Sequence, residues 1–123
     1  MPIMLTITGT VVSLKNSRRL VRNRRTGKPL SIKSTDAERW MRDFVIQVPA
    51  QYRGLKLGSE NQLLRAVVEI WYPSLRSDVD PSIVWDALQL AGVISNDRWI
   101  REQNIYGYID AKNPRCKILI TEV

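Results

Sequence analysis

The sequence predicts a small α+β domain: a mixed β-sheet with two helices packed on one face. Three patterns predict it. From Leu63 to Tyr72, Leu64, Ala66, Val68 and Ile70 alternate with Arg65, Val67, Glu69 and Trp71, the period of a strand with one buried face. Trp40, Phe44 and Val48 recur at spacings of four, the period of a helix with one apolar stripe. The chain then closes on two short strand-like runs separated by Ala111-Lys112-Asn113-Pro114, a turn sequence. With 123 residues, 44% of them hydrophobic, the chain forms one domain, residues 1–123, with enough apolar mass for a core.

The elements follow in order. Leu5 to Val12 is rich in Thr and Val and alternates, so it reads as a strand. Lys15 to Lys33 carries eight basic residues and no acidic one; Arg25-Thr26-Gly27-Lys28 marks a turn between Leu20-Val21 and Leu30-Ile32, giving a basic hairpin or a mobile loop. Thr35-Asp36-Ala37-Glu38 fits a capping box, in which the Thr35 hydroxyl caps the Glu38 amide and Glu38 reaches back to the Thr35 amide. The helix it starts runs to about Val48, where Pro49 stops it. Gln51 to Gln62 is a loop, and Leu63 to Tyr72 is the clearest strand. Asp80 then reads as an N-cap and Pro81 as the first position of a second helix, which ends at Ala91 before Gly92. Val93 to Arg98 connects to a strand at Ile105 to Asp110, and Cys116 to Glu122 is the last strand.

Charge narrows the function. The net charge is +7 and the pI is near 10, a balance suited to a nucleic acid or an anionic surface. The absence of histidine excludes Ser-His-Asp and Cys-His catalysis and zinc sites built on imidazole. A single cysteine, Cys116, forms no intrachain disulfide, which fits a reducing compartment. No apolar run reaches the roughly 20 residues of a membrane span, and Met1 to Thr10 lacks the pattern of a secretory signal, so the expected location is cytoplasmic, with no membrane partner. The four tryptophans, Trp40, Trp71, Trp85 and Trp99, lie in apolar contexts and read as core or interface residues.

Against this basic background, four of the twelve acidic residues gather late in the chain: Asp78, Asp80, Asp86 and Asp97. Carboxylates this close repel one another unless they are solvated, paired or holding a cation. With no histidine and one cysteine, a metal site here is an oxygen site, suited to Mg²⁺ or Mn²⁺. If Asp78-Val79-Asp80 is extended, both carboxylates point the same way. Simpler roles also fit: Asp80 as a helix cap, Asp78 as a partner of Arg76, Asp97 after Asn96 as turn chemistry.

At these residues the chain resembles the RusA family of Holliday junction resolvases, small endonucleases of bacteriophages and prophages. The family shows an Asp-Leu-Asp-Asn segment, a helix Lys, an Asp-Ala-Leu, an Ala-Gly pair and a final acidic pair. The similar residues here are Arg76-Ser77-Asp78-Val79-Asp80, Asp86-Ala87-Leu88, Leu90-Ala91-Gly92-Val93-Ile94 and Asn96-Asp97. Lys15-Asn16-Ser17-Arg18-Arg19 near the start, and Asn113-Pro114-Arg115 with the strand after it, are similar too. The chain departs from the pattern in three ways. Pro81 stands where the family has Asn; Ser82-Ile83-Val84-Trp85 offers no Lys; and the interval to Asp-Ala-Leu is about two residues short, as read from the sequence alone. Asp78 and Asp80 match the family pair in order, or Asp78 alone matches its second member. Asp97 matches the third carboxylate in the register set by Gly92.

The resemblance implies a RusA-like fold and a homodimer with one site for each of two strands. It implies a Mg²⁺-dependent endonuclease that resolves four-way junctions in branched double-stranded DNA, in a bacterial or phage-infected cell. Asp78, Asp80 and Asp97 would hold the ion, which lowers the pKa of a bound water and supports charge on the phosphate. Lys15, Arg18, Arg19, Arg22, Arg24, Arg25, Lys28 and Arg76 would bind phosphates, with little reading of sequence. Arg76, Arg98 or a basic residue of the partner subunit would replace the missing Lys. Two rivals remain: a branched-DNA-binding protein of this fold that does not cut, and a basic RNA-binding or regulatory protein.

Overall fold

The computed structural model describes residues 2–14, 18–22, 29–33 and 35–123, with side chains for all of these except 18–22 and 29–33. Six strands and two α-helices are described: β1 (Ile3–Thr8), β2 (Arg18–Arg22), β3 (Pro29–Lys33), α1 (Thr35–Gln47), β4 (Leu64–Tyr72), α2 (Ser82–Leu90), β5 (Ile100–Ile109) and β6 (Arg115–Glu122). Four strands form one sheet in the order β1-β6-β4-β5, while β2 and β3 pair separately. β6 is antiparallel to both β1 and β4, and β5 is parallel to β4, so the sheet is mixed. This is the expected small α+β fold.

One face of the sheet carries the core. Ile3, Leu5 and Ile7 of β1, Leu64, Ala66, Val68 and Ile70 of β4, and Cys116, Ile118 and Ile120 of β6 are all buried. The helices supply the opposing layer: Ala37, Trp40, Met41 and Phe44 from α1, and Ile83, Val84, Trp85, Ala87 and Leu88 from α2. The stripe that ran to Val48 in the sequence is buried throughout. Trp40 and Trp85 belong to this core. Trp71 and Trp99 are only half-buried; Trp71 stacks on Tyr108, with the Arg115 guanidinium 4.1 Å from its ring centre.

Both helix ends are closed by named groups. The Arg53 guanidinium donates to the carbonyls of Val48 and Ile46, both at 3.0 Å, just past the end of α1. At the end of α2, Gly92 takes φ +72°; its amide donates to Gln89 O at 3.0 Å, and the Val93 amide donates to Leu88 O at 2.9 Å. These are the two bonds of a Schellman cap, which needs a residue that tolerates the left-handed region. The loop 54–57 then docks on this turn, with the Lys56 amide donating to Gly92 O at 2.8 Å.

Two strand boundaries differ from expectation by more than two residues. β1 ends at Thr8 rather than Val12, because Gly9 at φ +112° breaks the extended run. β5 begins at Ile100, five residues before the expected start at Ile105. Its first half, Arg101-Glu102-Gln103-Asn104, is exposed and polar, so it lacks the alternation that marks a half-buried strand. Pairing with β4 makes it a strand regardless.

Candidate functional site

The carboxylate segment leaves the carboxyl end of β4 and is fixed there by buried polar groups. Tyr72, the last residue of β4, points inward and is buried. A buried Tyr hydroxyl needs a partner, and it accepts a bond from the Asp80 amide at 3.1 Å. Asp80 is itself only 2% exposed. Its Oδ1 accepts from the Ser82 amide at 3.0 Å and from the Ser82 hydroxyl, while its Oδ2 accepts from the Ser13 hydroxyl at 3.1 Å. The Ser82 bond satisfies an amide at the start of α2, so Asp80 does help to cap that helix. The helix starts at Ser82 rather than Pro81, however, and Pro81 occupies the cap position. Burial is the main reason the Tyr72 hydroxyl is pushed above its usual pKa; the Asp80 amide bond works the other way, and the charges of Asp80 and Asp78 add smaller upward shifts.

Asp78 differs from its neighbour. It is exposed, whereas Asp80 is buried, so the two carboxylates do not share one environment as an extended Asp-x-Asp would. Between them Val79, 47% exposed, lies over Gly107 of β5. A Cβ on residue 107 would collide with Val79 Cγ2. The absence of a side chain at Gly107 is what seats the carboxylate segment on the sheet. Arg76 is exposed in the same loop, and no described ion pair joins it to Asp78.

Asp97 stands elsewhere. It opens a 3₁₀ turn, Asp97–Trp99, that leads into β5, and the Asn96 side chain accepts from the Arg98 amide at 2.9 Å. The Asp97 amide donates to Gln89 Oε1 at 3.3 Å, which places Asp97 beside the carboxyl end of α2. Ile100 pairs with Leu64, the first residue of β4, whereas the Asp80 amide is bonded to Tyr72, its last. Nine residues of strand separate these ends, roughly 26 Å at ~3.3 Å per residue. The helix α2 separates the two sites by nine residues, about 13 Å at ~1.5 Å per residue. Oxygen ligands of one Mg²⁺ lie within about 5 Å of each other, since each sits ~2.1 Å from the ion. One protomer therefore brings Asp78 and Asp80 into one loop and leaves Asp97 at the other end of the sheet. Among the described residues no three His, Cys, Asp or Glu side chains gather as a metal-holding group. Arg98 goes with Asp97; its guanidinium lies 4.7 Å from the Trp99 ring centre. Asp86 is half-buried on α2.

Of the residues assigned to DNA, Arg18, Arg19 and Arg22 lie on β2, which pairs with β3 from Arg18↔Lys33 to Arg22↔Pro29. The expected basic hairpin is thus present as a backbone pairing. Lys15, Arg24, Arg25 and Lys28 fall outside the described residues.

Sequence reasoning missed Ser13, Tyr72, Ser82 and Gly107. Two of these carry a readable signal: an inward Tyr at the end of an alternating strand needs a partner, and Asp-Pro-Ser is a spacing at which a carboxylate bonds the amide two residues on. Nothing in the sequence links Ser13 to Asp80 across 67 residues. No model of a known protein family matches the chain, and no curated protein matches it. No described helix is long and apolar enough to cross a membrane.

Proposed function

We propose that the chain is a Mg²⁺-dependent, structure-selective DNA endonuclease of the RusA kind, acting as a homodimer on four-way junctions. The observation that carries this reading is the carboxylate segment Asp78–Asp80. It is held at the carboxyl end of β4 by Tyr72, Ser13 and Ser82 and seated on Gly107, so a charged loop is fixed in place rather than left free. The net charge of +7 and the basic β2–β3 pairing support a polyanionic partner. The ordered resemblance, from Asp78 through Gly92 to Asp97, gives the reaction class.

The donor set agrees only in part with a resident ion. Carboxylates suit a hard cation, but Asp80 is 2% exposed, with two hydrogen bonds accepted at Oδ1 and one at Oδ2, so of the pair only Asp78 faces solvent. A single protomer offers Asp78 and Asp80 without Asp97, so it is incomplete as a three-carboxylate site. A second reading follows from that same separation: a protein of this fold that binds branched DNA and does not cut it. The absence of a Lys from Ser82 to Trp85 favours it as well.

One assay decides. The protein is incubated with a labelled four-way junction and with a linear duplex of the same sequence, with Mg²⁺ or with chelator. Paired cuts near the branch point, confined to the junction and lost with chelator, support the endonuclease. Junction binding without cuts in Mg²⁺ or Mn²⁺ leaves the binding module.

A further inference from the structure

We propose that the face of the sheet turned away from the helices is a platform for single-stranded nucleic acid, with bases stacked on Tyr106 and Tyr108 and the backbone held by Arg115 and Lys117. This inference goes beyond the endonuclease reading and needs no cutting by the carboxylates.

The register sets the outward side chains in rows. Trp71 of β4 lies between Tyr108 of β5 and Arg115 of β6; in the next row Glu69 lies between Tyr106 and Lys117. Val68 and Ile70, the alternate residues of β4, are buried against the helices, so both rows face the other way. The outward face of a half-buried sheet is ordinarily polar. Here three aromatic residues stand together at one end of it, with Tyr106 48% and Tyr108 41% exposed.

The rings are held in place by neighbours. Trp71 stacks on Tyr108, with ring centres 5.1 Å apart and planes 27° from parallel. The Arg115 guanidinium lies 4.1 Å from the Trp71 ring centre and the Lys117 ammonium 5.5 Å from it. Trp71 thus has a partner on each neighbouring strand, and the open ring area belongs to the tyrosines. Arg115 donates from Nη1 to Asp110 Oδ2 and to the Asn113 carbonyl, both at 3.0 Å, and these bonds leave its Nε and Nη2 to a ligand. Lys117 is exposed, and no described ion pair engages it.

This arrangement selects its occupant. The cations lie on β6 and the tyrosines two strands away on β5, about 10 Å at ~4.8 Å per strand. A ligand that fits carries a row of anions with flat rings hung to one side. Single-stranded nucleic acid has that form, and aromatic side chains beside a cationic track are how such strands are bound. Tyr106 and Tyr108 are separated by ~7 Å along β5, twice the ~3.4 Å rise of a duplex strand, so they suit bases that have come apart. Glu69 keeps phosphates off the middle of the face and can accept from a base amino group. An acidic peptide brings the anions without the rings. A subunit interface depletes charge at its centre, whereas Glu69 and Lys117 stand in the middle of this face.

Fluorescence anisotropy tests the proposal, using labelled oligo(dT) of about ten nucleotides and an abasic strand of equal length, which keeps every phosphate and has no bases. The wild-type chain should bind oligo(dT) at least ~5-fold tighter than the abasic strand. The ratio should survive added salt, because counterion release weakens both alike. Tyr108→Ala should weaken oligo(dT) binding by about 5- to 100-fold, Tyr108→Phe should restore it, and neither should alter abasic binding. Lys117→Ala should weaken both and lower the slope of log affinity against log salt by ~0.7. Oligo(rU) is titrated alongside; tight binding of either strand supports the platform, and the tighter names the nucleic acid. Equal affinity for oligo(dT) and the abasic strand, or wild-type affinity in Tyr108→Ala, overturns the platform and leaves net charge alone at work. Failure to bind oligo(dT), with self-association that Tyr108→Ala abolishes, also overturns it and gives the face to a second copy. Junction cutting enters none of these readings, so the platform and the endonuclease stand or fall separately.

Discussion

Replacing Asp80 by Ala should destabilise the protein far more than replacing it by Asn. Asp80 is buried and receives the Ser82 amide at 3.0 Å, the Ser82 hydroxyl and the Ser13 hydroxyl at 3.1 Å. Ala removes every acceptor. The Ser hydroxyls can turn elsewhere, but the Ser82 amide cannot, and a hydrogen bond to a charged group contributes about 1.5–3 kcal/mol net. The loss of this bond together with one of the two hydroxyl bonds gives about 3 kcal/mol at the lower end; relief of the buried charge keeps the figure from rising further. For 123 residues at ~2.1 cal/mol/K each, the unfolding entropy is about 0.26 kcal/mol/K, so Tm falls by about 12 °C. Asn keeps the Oδ1 acceptor for Ser82, and the Ser13 hydroxyl can rotate to accept from the new NH₂. Its cost is about 1 kcal/mol, or about 4 °C. Thermal unfolding followed by circular dichroism measures both. If Asp80→Ala melts within about 2 °C of wild type, these bonds do not hold the loop and the account of the site fails.

Three further outcomes follow from other parts of the fold. Gly107→Val should push Val79 off the sheet, lowering Tm by several degrees (roughly 1–2 kcal/mol) and abolishing cleavage without touching a carboxylate; unchanged cleavage would mean that the seating of the loop is irrelevant. Gly92→Ala combines a left-handed φ with a Cβ 3.0 Å from the Gly54 amide nitrogen, so denaturant unfolding should show a loss of at least ~2 kcal/mol. The buried Cys116 thiol is pushed up from 9.0 to about 12 by desolvation; the unfolded chain releases that proton first, so stability should be full below pH 9 and fall between pH 9 and 12, a slope that Cys116→Ala reduces.

The alternating strands were legible because one face of each is buried; Leu64, Ala66, Val68 and Ile70 are inward as their spacing requires. The helix boundaries at Pro49 and Gly92 were legible because those residues act locally. The first half of β5 was not, since its pairing with β4 is a contact across 36 residues and its exposed side chains carry no period. The carboxylates were legible as a cluster in sequence, but only the topology shows that β4 and β5 run parallel. That single fact sends Asp97 to the opposite end of the sheet from Asp80. Asp80 as a cap was readable from Asp-Pro-Ser; its bond to Ser13 was not, because that partner lies 67 residues away in the segment after β1.

The most direct test of the central claim compares wild type with Asp97→Asn on one labelled four-way junction, measuring binding and single-turnover cleavage in Mg²⁺ side by side. The account predicts that the wild type cuts, and that Asp97→Asn binds at least as tightly, having lost a negative charge near phosphate, yet does not cut. Full-rate cutting by Asp97→Asn, or no cutting by the wild type, would contradict it.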